Sequence, residues 1–397
     1  MKFSKRIQTV QPSMTLAIEA AARDLKAKGE DVIGFGAGEP DFSTPERVKN
    51  AGIEAIRQNQ TRYTPVAGTN ELKDAIVAKL KRENGLSYER GQIVVSCGAK
   101  QSFYNLAQVL WEEGDEVLVP APYWVSYPEM ILLAGARPVI VHTGAGDGFK
   151  VTPESLERAT TSNTRAVIVN SPSNPTGSAY TRQELEGIAE FALRRKLLIV
   201  SDEIYEKIVF DGFQPVSIAS LSNEVKKNCV VINGVSKSYA MTGWRIGYLA
   251  AEPDIAAQTA KLQGQMTSNP CSISQAASIE ALSGPQDDVE KMAREFEKRR
   301  DVLLERLLKI PGVSCFKPMG SFYAFPDFSG AYGRSFKGRK IEGSMALAEY
   351  LLSEAKVALV PGVAFGADAH ARLSFATSME NIVRGADRIA KAIAELQ

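Results

Sequence analysis

Six short runs of apolar, mostly β-branched residues punctuate the chain: QIVVSC (92–97), EVLVP (116–120), PVIVH (138–142), AVIVN (166–170), LLIVSD (197–202) and VVIN (230–233). They read as continuous apolar runs rather than alternations, so each predicts a strand covered on both faces. Amphipathic helical stretches separate most of them, for example TRQELEGIAEFALRRK from Thr181. Alternating β and α units of this kind admit few folds. They imply an α/β chain with a mostly parallel sheet, seven-stranded in type, sandwiched by helices through right-handed crossovers. A long helical stretch, DDVEKMAREFEKRRDVLLERLLK, follows from Asp287 to Lys309, and beyond it short strands and helices mix, including ALAEYLLSEA and ENIVRGADRIAKAIAEL. The pattern divides into a large α/β domain over 46–290 and a smaller α+β domain built from 1–45 together with 291–397.

Bulk properties exclude several classes. The net charge is +1 across 397 residues, which offers no electrostatic case for nucleic acid or an anionic membrane surface. No apolar run approaches the roughly 20 residues of a bilayer span, and the start, MKFSKRIQTVQPS, lacks the apolar core of a secretory signal. Cys97, Cys229, Cys271 and Cys315 are scattered without paired spacing, so neither a disulfide framework nor a zinc site is expected, and a cytoplasmic location is the default. With His142 and His370 the only histidines, a histidine-rich metal site or a histidine-centred triad is hard to build.

In open α/β sheets ligands sit beyond the carboxyl ends of the parallel strands, and the polar residues that follow each run form a set. After IVVSC comes Gly98-Ala99-Lys100 and a helical pattern, a combination that offers a phosphate free N–H groups and a positive dipole end. VLVP is followed by APYWVSY with Trp124, AVIVN by SPSNPTG with Asn174, LLIVS by Asp202 with Tyr205 one turn on, and VVIN by GVSK with Lys237 and then Arg245. Singly, each has a bland explanation: a helix cap, a turn, a core tryptophan, a solvated lysine. Together they suit a flat, cationic, phosphorylated ring that forms an imine with an amine. A lysine neutral enough to attack an aldehyde needs desolvation and nearby positive charge, which Arg245 would favour. A carboxylate at a ring nitrogen keeps it protonated, a phenol and an amide can bond a ring oxygen, and an aromatic plane can stack on the ring. Ser236 and Arg245 can hold a phosphate. The residues therefore predict that Lys237 carries pyridoxal 5′-phosphate.

SKSYAMTGWRIGY, VSDEIY and NSPSNPTG, in that spacing, together with GAGEPDF (36–42), TRYTPVAG (61–68), APYWVSYPEM (121–130) and ARLSFA (371–376), resemble the fold-type I aminotransferases of classes I and II, over essentially the whole chain. The resemblance implies that Lys237 forms the imine and then shuttles a proton between the substrate α-carbon and the cofactor. It implies that Asp202 pairs with the pyridine nitrogen, that Tyr205 and Asn174 bind the 3-oxygen, and that Trp124 stacks on the ring. The phosphate would be held by the backbone around Ala99 and Lys100, by Ser236 and by Arg245. Tyr63 would reach the phosphate of the neighbouring subunit in a homodimer with shared sites. Arg372 would fork the substrate α-carboxylate beside the Gly38 backbone. Cis peptides are expected at Ala121–Pro122 and Asn174–Pro175.

For the substrate, APYWVSYPEM and GAKQ resemble a bacterial subgroup of aspartate aminotransferases. There the side-chain carboxylate is held by the lysine after the glycine turn, here Lys100, helped by hydroxyls of PSMT, here Ser13 and Thr15. A lysine at a helix start is unhelpful on dipole grounds, which favours a functional reading over a solvated one. Some relatives accept prephenate and carry a basic residue just before this proline; Gln11 stands there instead. The N-terminal segment is expected to fold over the site when a dicarboxylate binds. Aromatic, alanine or kynurenine-type aminotransferases, or a carbon–sulfur lyase, would share the cofactor residues and differ only in the substrate contacts. A nicotinamide-dependent dehydrogenase fails on its fingerprint: GFGAGEP places Glu39 where the third glycine belongs, and Pro40 follows it. A cofactor-binding protein without catalysis would need a lost catalytic residue, and none is missing.

Overall fold

The six apolar runs all form strands in the computed structural model, which describes residues 1–12 and 14–397. They are β1 (Ile93–Ser96), β2 (Glu116–Ala121), β3 (Arg137–His142), β4 (Thr164–Asn170), β5 (Leu198–Asp202) and β6 (Cys229–Gly234). A seventh, β7 (Gly247–Ala250), joins them in one sheet of order β1-β7-β6-β5-β4-β2-β3. Strands β2 to β6 run parallel to one another, and β7 runs antiparallel to both β1 and β6. The long helix spans Asp287–Leu307.

Local chemistry sets the helix boundaries. In TRQELEG the Thr181 hydroxyl accepts from the Glu184 N–H at 3.4 Å, and the Glu184 carboxylate accepts from the Thr181 N–H at 2.7 Å, a reciprocal cap that starts the helix Arg182–Arg195. Lys196 ends it with a left-handed backbone, φ 56°.

Register brings the strand ends level. Asn170 of β4 lies opposite Asp202 of β5, and Asp202 lies opposite Ile232 of β6. A second, antiparallel sheet of Val360–Pro361, Ala371–Ser374 and Tyr323–Ala324 carries Arg372, opposite Val360. The Ser374 N–H donates to the Phe35 carbonyl at 2.7 Å, so the GAGEPDF loop runs beside the strand of Arg372. Both expected cis peptides are present, and a third occurs at Ser171–Pro172. Among the described residues no helix is long and apolar enough to cross a membrane.

Candidate active site

One cavity of about 1000 Å³ lies beyond the carboxyl ends of β4, β5 and β6. Strand β5 ends at Asp202, which is buried on its floor. The Tyr127 hydroxyl donates to Asp202 Oδ2 at 2.5 Å and the Ile204 N–H donates to Oδ1 at 3.2 Å, so the same carboxylate caps the turn after β5. Burial raises the carboxyl's pKa, against the pull of those two donors and of Lys237.

Lys237 follows β6 and enters the same cavity, where its Nζ donates to the Gly38 carbonyl at 2.6 Å. Burial first, and then the positive charge of Arg372, push its pKa down to about 8; Arg245 contributes less than Arg372. The cation that most affects the lysine charge is therefore the expected carboxylate-binding arginine, not the phosphate-binding one.

Ala99 and Lys100 open the helix Ala99–Leu110 at one end of the cavity, with Ser236 and Arg245 facing them. The crowding there explains two glycines. Gly98 holds φ 89°, and a Cβ on it would lie 2.5 Å from Arg245 Nη2. On Gly247 of β7 a Cβ would lie 2.1 Å from the Ala99 nitrogen. Arg245 itself is left-handed, φ 57°, and its guanidinium donates to the carbonyls of Thr242 (2.9 Å) and Cys97 (3.2 Å). A guanidinium is thus fixed at a helix N-terminus with no side chain between them.

Arg372 is buried on the opposite sheet system. Its Nη1 donates to the Asn174 side-chain oxygen at 3.0 Å and its Nη2 to the Gly36 carbonyl at 2.8 Å, while its Nε is buried without an acceptor. Tyr323 and Phe365 flank the guanidinium at 4.5 and 5.2 Å. Asn174 is oriented in turn by its N–H, which donates to the Asn170 side-chain oxygen at 3.0 Å. Tyr205 also lines the cavity, its hydroxyl 3.0 Å from that of Tyr323. Trp124 meets Tyr127 edge to face with centroids 5.2 Å apart, and Lys100 Nζ stands 5.1 Å from the centre of the Trp124 ring. Burial, then Arg245, lowers the Lys100 pKa.

The N-terminal helix Met14–Ala27 closes one side. Thr15 lines the cavity with its hydroxyl oxygen buried and unpartnered, whereas the expectation for Ser13 lies outside the described residues. The Gln11 N–H donates to Glu129 at 3.1 Å, tying the segment to the helix after Trp124. Tyr63 stands apart from the others: it is 91% exposed and outside the cavity.

Sequence reasoning missed Tyr127, Asn170, Tyr323 and Glu19. Tyr127 had a signal, being the second aromatic of WVSY one turn after Trp124. Glu19 lines the cavity from the N-terminal helix, its carboxyl pKa raised by burial against the pull of Arg372.

Comparison with known proteins places this geometry. The family model described as aminotransferase class I and II matches residues 30–389. An aspartate aminotransferase of Geobacillus stearothermophilus is 50% identical over 392 residues, covering 98% of each chain. The structure of the aspartate aminotransferase from Rhizobium meliloti matches with a TM-score of 0.97 at 43% identity, covering 100% of both chains. That of the Thermus thermophilus aspartate aminotransferase with maleate matches at 0.93 and 41% identity, over 99% of this chain and 100% of the other. The chain belongs to the class I and II aminotransferases, α/β enzymes of fold type I that use pyridoxal 5′-phosphate to move amino groups between amino acids and 2-oxo acids. The residues present fit that cofactor: an amine and a buried carboxylate share one cavity, and at its end a helix N-terminus meets Arg245 across a gap that a Cβ on Gly98 would fill.

Proposed function

We propose that the chain is an aspartate aminotransferase, passing the amino group between L-aspartate and 2-oxoglutarate in two half-reactions of ping-pong order. The observation that carries this reading is a pair of cations around the cavity that holds Lys237: Arg372, with its Nε lacking an acceptor, and Lys100, held over Trp124. Two cations suit two carboxylates. Arg372 forks the α-carboxylate, and its unpaired Nε–H is a donor waiting for an anion. Lys100 takes the side-chain carboxylate, with Thr15 and Ser13 supplying hydroxyls.

When bound, pyridoxal 5′-phosphate supplies the aldehyde that takes up the amino group and a ring that spreads the charge left at the α-carbon. Asp202, steadied by Tyr127, would hold a proton at the ring nitrogen, Tyr205 and Asn174 would bond the 3-oxygen, and Trp124 would stack on the ring. The N–H groups around Ala99 and Lys100, with Ser236 and Arg245, grip the phosphate. Lys237 Nζ, its pKa near 8, is the amine that would hold the cofactor and would carry the proton from the substrate α-carbon. Tyr63, exposed and outside this cavity, serves the phosphate of a second copy, making a homodimer with shared sites. The division into 46–290 and 1–45 plus 291–397 gives the moving parts. It is supported by the packing of Phe35 with the C-terminal helices in one apolar cluster, which Ile204, Tyr205, Ile208 and Phe210 of the large domain also join.

Lys100→Ala tests the substrate. We expect kcat/KM for aspartate to fall about 10- to 100-fold, the worth of a hydrogen bond to a charged group, with alanine and phenylalanine little affected. An equal loss on all three would remove the dicarboxylate reading.

A further inference from the structure

Tyr63 lies in the loop 61–69, the larger part of the segment 58–69 that connects the helices Glu46–Arg57 and Asn70–Asn84. A connector between helices needs little fixing, yet this one is fixed along its length. The Ser272 hydroxyl donates to the Gln60 carbonyl at 2.7 Å, and the Val95 N–H donates to the Ala67 carbonyl at 3.0 Å. Two buried glutamines hold the rest. Gln275 accepts from the Thr69 N–H at 2.8 Å and donates to the Thr64 hydroxyl at 3.0 Å and the Pro270 carbonyl at 2.8 Å. Gln263 donates to the carbonyls of Val66 and Val95, both at 2.8 Å, and accepts from Ser96 and Asn105 at 2.7 and 3.0 Å. Every N–H of both amides is used.

These contacts straddle Tyr63 without touching it. They also tie its loop to β1, the strand that leads into Gly98 and the phosphate end of the chain's own cavity. We infer that Gln275 and Gln263 are positioning residues for cofactor binding in the neighbouring subunit, holding the 61–69 loop so that the Tyr63 hydroxyl is delivered at a fixed place. This rests on the shared-site reading of Tyr63. The register matters because a hydrogen bond to a phosphate is lost within about an ångström of misplacement.

The test is the dissociation constant of pyridoxal 5′-phosphate, measured on the dimer by equilibrium dialysis for Tyr63→Phe, Gln275→Met and the double variant. Tyr63→Phe is expected to weaken binding about tenfold, the worth of one charge-assisted hydrogen bond. Gln275→Met should weaken it severalfold alone and add nothing in the Tyr63→Phe background, because both act through one hydroxyl. Thr64→Val removes one of the two loop contacts of Gln275, leaving the Thr69 N–H bond, and should reproduce part of the effect if Gln275→Met folds poorly. A merely structural role would leave the constant unchanged, or would multiply with Tyr63→Phe; either result overturns the inference while Tyr63 keeps its role. If Tyr63→Phe itself binds normally, the shared-site reading falls, and this inference with it.

Discussion

Lys237 shows how one residue is made reactive at a cost to the fold. Its pKa near 8, against an ordinary 10.5, means that the folded apoprotein resists the proton that the unfolded chain accepts. Between pH 8 and 10.5 the unfolded state therefore binds more protons, so this group's penalty is full below pH 8 and disappears as pH rises to 10.5. A shift of that size is worth about 3 kcal/mol at 1.36 kcal/mol per unit, less about 1 kcal/mol for the bond to Gly38. Lys237→Met apoprotein should accordingly be more stable than the wild-type apoprotein by roughly 2 kcal/mol at pH 7, with the gain shrinking toward pH 10. Urea denaturation across that range checks it, and a gain independent of pH would mean that apolar packing of the new side chain, not relief of a buried charge, is the source. Arg372 acts at the same scale in two ways: it is placed to hold an anion, and it depresses the lysine, so a bound carboxylate that neutralises it should raise the Lys237 pKa.

At the level of elements, the site is a set of strand ends and helix starts brought level by register. The phosphate end depends on β7 passing so close to the helix Ala99–Leu110 that only glycine fits at position 247, and on Gly98 turning at φ 89° beside the Arg245 guanidinium. Gly98→Ala should cost about 1–3 kcal/mol for an alanine held at φ 89° and ψ 158°, a region that glycine alone adopts readily. It should also weaken cofactor binding, because the new Cβ displaces Arg245. Thermal melts of the apo and cofactor-loaded forms would separate the two effects, the loaded form losing more. The same elements show what the sequence could reveal. Asp202, Asn174, Lys237 and the Gly98 turn follow unbroken apolar runs, so polar residues stand out at the ends of buried strands. Strand β7 gave no such signal, because GYLA is short, opens on a glycine and runs antiparallel. Tyr323 was hidden for another reason: it meets Tyr205 across 118 residues of chain, and no local pattern encodes that pairing. Glu19 looked like one polar residue on an amphipathic helix, and only the packing of that helix over the cavity gives it a place beside Arg372.

For the whole molecule, the role proposed for Tyr63 requires two copies. Tyr63 is 91% exposed, on a loop held by two buried amides and outside the cavity of its own chain. Mixing Lys237→Ala subunits with Tyr63→Ala subunits, at a cofactor concentration too low for the latter alone, should restore activity. Random pairing makes half the dimers mixed, each with one intact site, so about a quarter of wild-type activity is expected. Sites confined to single chains would give none. The alternation of apolar strands and amphipathic helices foretold the sheet and the end of it where ligands bind, but it carries no trace of the proposed assembly, for which one chain offers Tyr63 as an exposed aromatic. The most direct test of the central claim is the absorbance spectrum of the cofactor-loaded protein as aspartate is added. The account predicts a visible band, removed by borohydride with the mass fixed on Lys237, that aspartate converts to shorter wavelength and alanine and phenylalanine do not. A protein that binds no pyridoxal 5′-phosphate, or one whose band aspartate leaves unchanged, would contradict it.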